Sequence, residues 1–263
     1  MSPRNGGRRI GAVDTTLRIV DALRELRGAT VSELSEAVGV TPGTVHTHLQ
    51  TLADHGIVVR DGSSYELGLH VVTLGEYVKH RSPLYQAAKQ RVDELAAKTG
   101  ECIHLFSRDE GKGFILYESY GQQAVGSRLH QRLREEPYQH LYCSAGGKAI
   151  LAHMDPSEVN EILNQNGMER MTPQTITDRD ELFAELETVR ERRFALNDEE
   201  LVRGQRAVGV VILDADERPM GAVSLSAPRS RLNGERFRET VPELLSETAN
   251  LIELNIHTDR VDI

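Results

Sequence analysis

Val31-Ser-Glu-Leu-Ser-Glu-Ala-Val-Gly-Val-Thr-Pro-Gly-Thr-Val-His-Thr-His-Leu-Gln-Thr-Leu52 holds a helix stop followed at once by a helix start within 22 residues. Thr30 precedes it and Glu33 stands three residues on, which is a capping box. Leu34 and Val38 then fall one turn apart, and Gly39 ends the short helix. Thr41 and Pro42 start the next helix, an N-cap followed by proline at the first helical position. Val45, Leu49 and Leu52 form its apolar stripe and Gly56 ends it. A short helix, a tight turn and a second helix make a helix-turn-helix. Upstream, Val13, Leu17, Val20 and Leu23 predict an amphipathic helix over 13–27. Downstream, Ile57-Val-Val-Arg60 and Tyr65-Glu-Leu67 flank Asp61-Gly-Ser-Ser64, which reads as a hairpin, the wing.

The second helix of the pair is the one expected to enter the major groove of DNA. With Val45, Leu49 and Leu52 inward, a 100° step per residue puts Gly43, Thr47 and Gln50 on the opposite face. Thr44, His46 and Thr51 flank them, and Pro42 at the start of the helix is counted with the DNA-binding set. Gln suits adenine, and Thr suits a base edge or a phosphate. His48 lies nearer the buried edge and is expected at the phosphate backbone, as is Arg60 on the wing.

Charge fits this division. The net charge is −9, yet residues 1–80 hold 8 basic and 9 acidic side chains, so most of the acidic excess lies elsewhere. Arg4, Arg8 and Arg9 precede any acid and suit either an arm along phosphates or a plain tail. The basic residues are 5 Lys and 26 Arg. With the acidic excess, that balance points to a high-salt cytoplasm such as that of haloarchaea; a GC-rich genome gives the same bias. No apolar run approaches the ~20 residues of a membrane span, and no signal peptide is legible, so a cytoplasmic protein is expected.

From about residue 70 the pattern changes. Residues 70–81 and 84–98 read as helices, the second striped by Leu84, Ala88, Val92 and Leu95. Strands are expected at 101–107, 113–120, 194–197, 207–214 and 219–227, with Asp214–Arg218 as a hairpin turn. Helices are expected at 144–153, 156–165, 179–193 and 234–256, the last with Phe237, Val241, Leu244, Thr248 and Leu251 on one face. The expected architecture is an all-α-rich winged helix-turn-helix domain (1–68), linker helices (69–98) and an α+β domain with an antiparallel sheet (99–263).

Five stretches taken in order resemble the IclR family of transcriptional regulators: Val31–Leu52 with Tyr65-Glu-Leu-Gly68, Cys143-Ser-Ala-Gly-Gly-Lys-Ala-Ile-Leu-Ala152, Thr175-Ile-Thr-Asp178, Asn197-Asp-Glu-Glu200 with Gly204, and Gly221-Ala-Val-Ser-Leu-Ser-Ala-Pro228. The resemblance implies a regulator that binds a double-stranded DNA operator as a homodimer or dimer of dimers. It also implies a GAF-like C-terminal domain for a small effector, often a carboxylate or sugar-derived acid. Three positions depart from the family pattern: His48 replaces a usual Arg, Asn197 a usual Asp, and Ala207 a common Cys.

For the effector, small residues Ser144, Ala145 and Gly146 ahead of a helix let backbone N–H groups approach an anion; a tight turn feeding a packed helix fits them equally. Ser224 and Ser226 alternate on one strand and share a face. Asn197, Asp198 and Ala207 enter through the resemblance alone. Cys102 and His104 alternate on a strand and could share a face with Cys143, which leaves a zinc or thiol-redox site open; nothing in their spacing, or in that of His130 and His140, demands one, so no metal or other cofactor is expected. A thiol enzyme using Cys102 or Cys143 is the alternative from another class; the sequence shows no base paired with either. A DNA-binding protein without effector is the third reading.

Overall fold

The structure, a computed structural model, describes residues 10–125 and 139–259. The arginine arm and His130 lie outside them. The chain divides into two compact units, Met1–Lys79 and His80–Ile263.

The first unit contains helices α1 (Gly11–Leu26), α2 (Val31–Val38) and α3 (Pro42–Asp54), with strands β1 (Ala29–Thr30), β2 (Val58–Asp61) and β3 (Ser64–Leu67). Thr30 caps α2 reciprocally: its hydroxyl accepts from Glu33 N, while Glu33 Oε2 accepts from Thr30 N at 2.8 Å. Gly39 closes α2 in the left-handed region (φ 73°), where a side chain would be strained. Thr41 caps α3, with Pro42 in the first turn. Leu34, Val38, Val45, Leu49 and Leu52 meet Ile19, Leu23, Val58 and Tyr65 in one core. Such burial stabilises by roughly 1.5–3 kcal/mol per large side chain. The wing is a three-stranded sheet, ordered β1-β3-β2 and antiparallel, because Ala29 and Thr30 pair with Tyr65 and Ser64.

The expected face of α1 is corrected. Val13 and Leu17 are 52% and 59% exposed; Leu23 is buried and Val20 partly buried as expected, and Ile19 and Ala22 complete the core contact. Apolar residues line two sides of this helix, so periodicity alone does not settle which of them turn inward.

Helix α4 (His70–Arg81) follows and buries none of its side chains. Helix α5 (Pro83–Thr99), also expected among the linker helices, packs in the core of the second unit through Leu84, Ala88, Val92 and Leu95. The centre of that unit is an antiparallel sheet of β4 (Cys102–Asp109), β5 (Lys112–Tyr120), β6 (Ala195–Asp198), β7 (Gln205–Leu213) and β8 (Pro219–Pro228), in the order β5-β4-β8-β7-β6. Both faces are covered. On one, Ile103, Leu105, Val208, Val210, Val223 and Leu225 meet α5 and the C-terminal helix α9 (Val241–Asp259). On the other, Phe106, Val211 and Ala222 meet α6 (Ala145–Leu151), α7 (Pro156–Asn166) and α8 (Arg179–Arg192). Double coverage explains why these strands read as unbroken apolar runs.

The C-terminal helix needs a second correction. Phe237, Val241 and Thr248 are buried as expected, but Leu245, Ala249, Ile252 and Ile256 complete the buried set, with Leu244 partly buried and Leu251 exposed. A π turn at Arg236–Thr240 precedes α9; after Val241 the sequence offers Leu244 and Leu245 side by side, and periodicity alone does not choose between them. No helix of the described residues is long and apolar enough to cross a membrane.

Candidate functional site

On α3, Pro42, Gly43, Thr44, His46, Thr47 and Gln50 are all exposed, opposite the buried Val45, Leu49 and Leu52. The helix satisfies its own threonines: Thr44 Oγ1 bonds Thr41 Oγ1 at 2.9 Å, and Thr47 Oγ1 donates to Gly43 O at 3.0 Å. Thr47 thus turns its methyl and a hydroxyl lone pair outward. His48 is only half-exposed, and its Nδ1 lies 2.8 Å from Thr16 Oγ1 on α1, a contact that joins the two helices. Arg60 on β2 donates from Nε to Gly62 O at 2.9 Å and lies over the Tyr65 ring at 5.9 Å, so its guanidinium is held along the wing.

In the second unit a cavity opens between the sheet and the start of α6. It holds ≈70 Å³, several times the ~10–15 Å³ that admits one water. Ser144, Ala145, Gly146, Asn197, Ala207, Ser224 and Ser226 all line it, with His104, Phe106, Ile115, Leu201, Val202, Gln205 and Arg206. Strand register explains the convergence. His104 stands opposite Ser224, and Ser224 opposite Gly209; Cys102 stands opposite Ser226, Ser226 opposite Ala207, and Ala207 opposite Asn197. Two rows of side chains therefore cross the sheet on one face.

Small residues make the cavity in three different ways. A Cβ on Gly209 would meet the backbone of Ala145 at 2.5 Å, so glycine lets α6 seat on β7. A Cβ on Gly147 would meet Leu141 O at 2.2 Å. A Cβ on Gly146 would meet only Phe106 Cβ at 3.5 Å and Ser224 Oγ at 3.7 Å, ordinary contacts, so Gly146 keeps space open.

Asn197 is buried and acts on the loop itself. Its Nδ2 donates to Cys143 O at 2.6 Å, and its Oδ1 accepts from Glu200 N at 3.0 Å. Asp198, expected beside it, does not line the cavity. The next residue on a strand points to the other face, where Asp198 takes a two-bond pair with Arg206 at 2.7 and 3.0 Å. Behind α6, Lys148 is buried and bonds Glu200 Oε1 at 2.6 Å; burial pushes the Glu200 carboxyl up from the usual range against the opposing pull of Lys148.

His104, Phe106, Ile115, Leu201, Val202 and Gln205 are missing from the sequence reading of the effector site, while Arg206 borders the cavity but turns its side chain to Asp198. His104 carried a usable signal, since it alternates with Cys102 on one strand; its neighbours across the sheet carried none. His104 Nε2 lies 2.9 Å from Ser226 Oγ, and its Nδ1 lies 2.8 Å from Glu118 Oε1 on β5. Cys143 is buried away from this group, its Sγ 3.5 Å from His140 O.

Two family models match along the chain. The IclR helix-turn-helix domain matches residues 12–62, and the bacterial transcriptional regulator IclR C-terminal domain matches residues 76–254. The chain belongs to the IclR family of transcriptional regulators. It is 38% identical over 254 residues to the probable HTH-type transcriptional regulator ArcR of Halobacterium salinarum, covering 95% of each chain. The crystal structure of the Thermotoga maritima IclR shares its fold at a TM-score of 0.74 and 27% identity, over 94% of this chain and 99% of that one. An IclR homologue from Microbacterium hydrocarbonoxydans, solved with 4-hydroxybenzoate, superposes at a TM-score of 0.80 and 20% identity, over 94% and 99% of the two chains. As an IclR regulator the protein has a DNA-binding helix-turn-helix and an effector-binding C-terminal domain.

Proposed function

We propose that this IclR regulator binds a two-fold symmetric operator as a homodimer or dimer of dimers, and that a small organic acid in the second unit's cavity sets its affinity for that operator. Pro42, Gly43, Thr44, His46, Thr47 and Gln50 meet the major groove, with Arg60 and His48 toward the phosphates. The observation that carries the effector reading is the composition of the cavity wall. The wall brings three serines, the His104 imidazole and the Asn197 amide together with the apolar Phe106, Ile115, Leu201 and Val202. That combination suits a carboxylate or hydroxy-acid head on an apolar body. The relative solved with 4-hydroxybenzoate has this fold and supports the same class of ligand.

The dimer reading rests on exposed apolar side chains. Leu69 and, on α4, Val72, Leu74, Tyr77 and Val78 all face solvent, more than a monomer's surface usually gathers in one helix. The effector works by linkage: it shifts operator affinity by the ratio of its affinities for two dimer geometries. The test is an operator titration. DNA recovered from the host with the protein is bound in vitro at several salt concentrations, with and without candidate acids. Tight binding to a symmetric site, shifted by one acid, is expected. Equal affinity for random DNA overturns the sequence-specific reading, and indifference to every acid overturns the effector reading.

A further inference from the structure

Cys102, His104 and Glu118 form the one group among the described residues whose ligand atoms all lie within reach of a shared metal ion, each within 4.8 Å of the others. Cys102 and His104 are two apart on β4, and Glu118 is the cross-strand partner of His104 on β5, so the sheet holds all three on one face. The Cys102 thiol lies 3.7 Å from Glu118 Oε1, and His104 Nδ1 lies 2.8 Å from the same oxygen. Cys102 is buried, and the Glu118 side chain is only 2% exposed.

We propose that these three side chains bind a zinc ion in the wall of the cavity. The donor set is one sulfur, one nitrogen and one oxygen, which is the mixture zinc accepts at about 2.0–2.3 Å from each atom. Tetrahedral ligands at those bond lengths sit roughly 3.3–3.7 Å apart, so the trio opens by a few tenths of an ångström at the Nδ1–Oε1 contact, keeps its Sγ–Oε1 distance, and closes the sulfur–imidazole distance, which is at most 4.8 Å, by up to about 1 Å. Charge also fits. A divalent cation with one thiolate, one carboxylate and a neutral imidazole is net neutral, which a buried site tolerates. Three protein ligands leave a fourth position, the pattern of zinc sites that exchange a ligand rather than merely brace a fold. His104 is common to the trio and the cavity lining.

Binding releases one proton, from the Cys102 thiol. It also fixes the tautomer of the imidazole. Without the ion, Nδ1 faces Glu118 Oε1 at 2.8 Å, and Nε2 lies 2.9 Å from Ser226 Oγ in a contact that either atom can donate. With the ion on Nδ1, the ring proton sits on Nε2 and donates to Ser226 Oγ, 2.9 Å away. The Ser226 hydroxyl hydrogen is then released toward the cavity as a donor. This last consequence rests on the organic-acid reading; the metal site does not.

The experiment is a titration of the metal-free full chain with cobalt(II), a coloured substitute for zinc, and with zinc in competition. One ion per chain, a thiolate-to-cobalt charge-transfer band in the near ultraviolet, and one proton released per ion are expected. Cys102→Ser abolishes the band, and Glu118→Gln weakens binding about 100-fold or more, both at unchanged circular dichroism. Absence of the band in the unaltered protein overturns the site without need of any variant. A band that survives Cys102→Ser overturns it as well, because Cys143 then supplies the sulfur. With the band in place, 4-hydroxybenzoate affinity that is equal for zinc-loaded and metal-free protein removes the Ser226 consequence and leaves the site standing.

Discussion

At the scale of single residues, the cavity was legible where a side chain's own alternation or size spoke for it. Ser224 and Ser226 share a face by counting, and Gly146 is small. What the sequence withheld is the partner across the sheet. Nothing in Ser226 announces that His104, 122 positions away in the chain, stands beside it. Asn197 shows how a departure from a family pattern acquires a physical meaning only in three dimensions. Its amide donates to the carbonyl of Cys143 and accepts from Glu200 N, and only an amide does both. Asn197→Asp should therefore destabilise the second unit by about 1–3 kcal/mol, since two acceptors then face each other in a buried place; thermal melting reads this, and an unchanged midpoint would show that the loop does not depend on the bond. Gly146→Ala separates space from stability. The added methyl finds ordinary contacts with Phe106 and Ser224, so the melting point should hold. The methyl also fills part of the ≈70 Å³ cavity, so acid binding measured by calorimetry should weaken by roughly tenfold or more. Full affinity in this variant would place the ligand elsewhere.

Elements were legible in proportion to how much of their reading is local. Caps are contacts between residues three apart, and Thr30 and Thr41, read as caps from the sequence, each stand at the N-terminus of a helix in the structure. Faces are not local: α1 has apolar residues on two sides, and α9 offers Leu244 and Leu245 side by side, so the stripe along each depends on what packs against it. The capping box of α2 yields a prediction at this scale. Hydrogen bonds from the Thr30 backbone, and then from its hydroxyl, hold the Glu33 carboxyl below the usual carboxylate range. A carboxyl depressed in the folded state adds stability above the unfolded value of 4.5, and that part is lost as pH falls through the folded value. Thr30→Ala should cost the first unit about 1 kcal/mol at neutral pH. Glu33→Gln should flatten the loss of stability on acidification below pH 4.5. Urea unfolding at pH 7 and at pH 3.5–4.5 measures both, and an acid slope unchanged by the Gln variant would assign the pH sensitivity to other carboxylates.

At the scale of the whole molecule, the distribution of charge and of exposed apolar surface matters more than either sum. A net charge of −9 argues against DNA binding until residues 1–80 are counted separately, at 8 basic and 9 acidic. With so little positive charge per copy, the proposed homodimer gains its tight binding to DNA by engaging two half-sites at once. A linked pair gains 10²–10⁴-fold over one copy through effective concentration alone. The exposed apolar side chains of α4 are where the proposal places that link. Leu74 and Val78 lie one turn apart and are half or more exposed, so neither contributes to the core of its own unit. Leu74→Asp with Val78→Lys should leave circular dichroism and the melting of the isolated chain nearly unchanged. In sedimentation the species should fall by one step of association at micromolar protein, and affinity for a complete operator should drop by about 10²–10⁴-fold toward that for a half-site. Affinity for a half-site alone should stay as it was, because α3 and its exposed residues are untouched. If the double variant sediments as before and binds the complete operator as before, the copies meet through another surface, and the exposed stripe of α1 at Val13 and Leu17 becomes the next to alter.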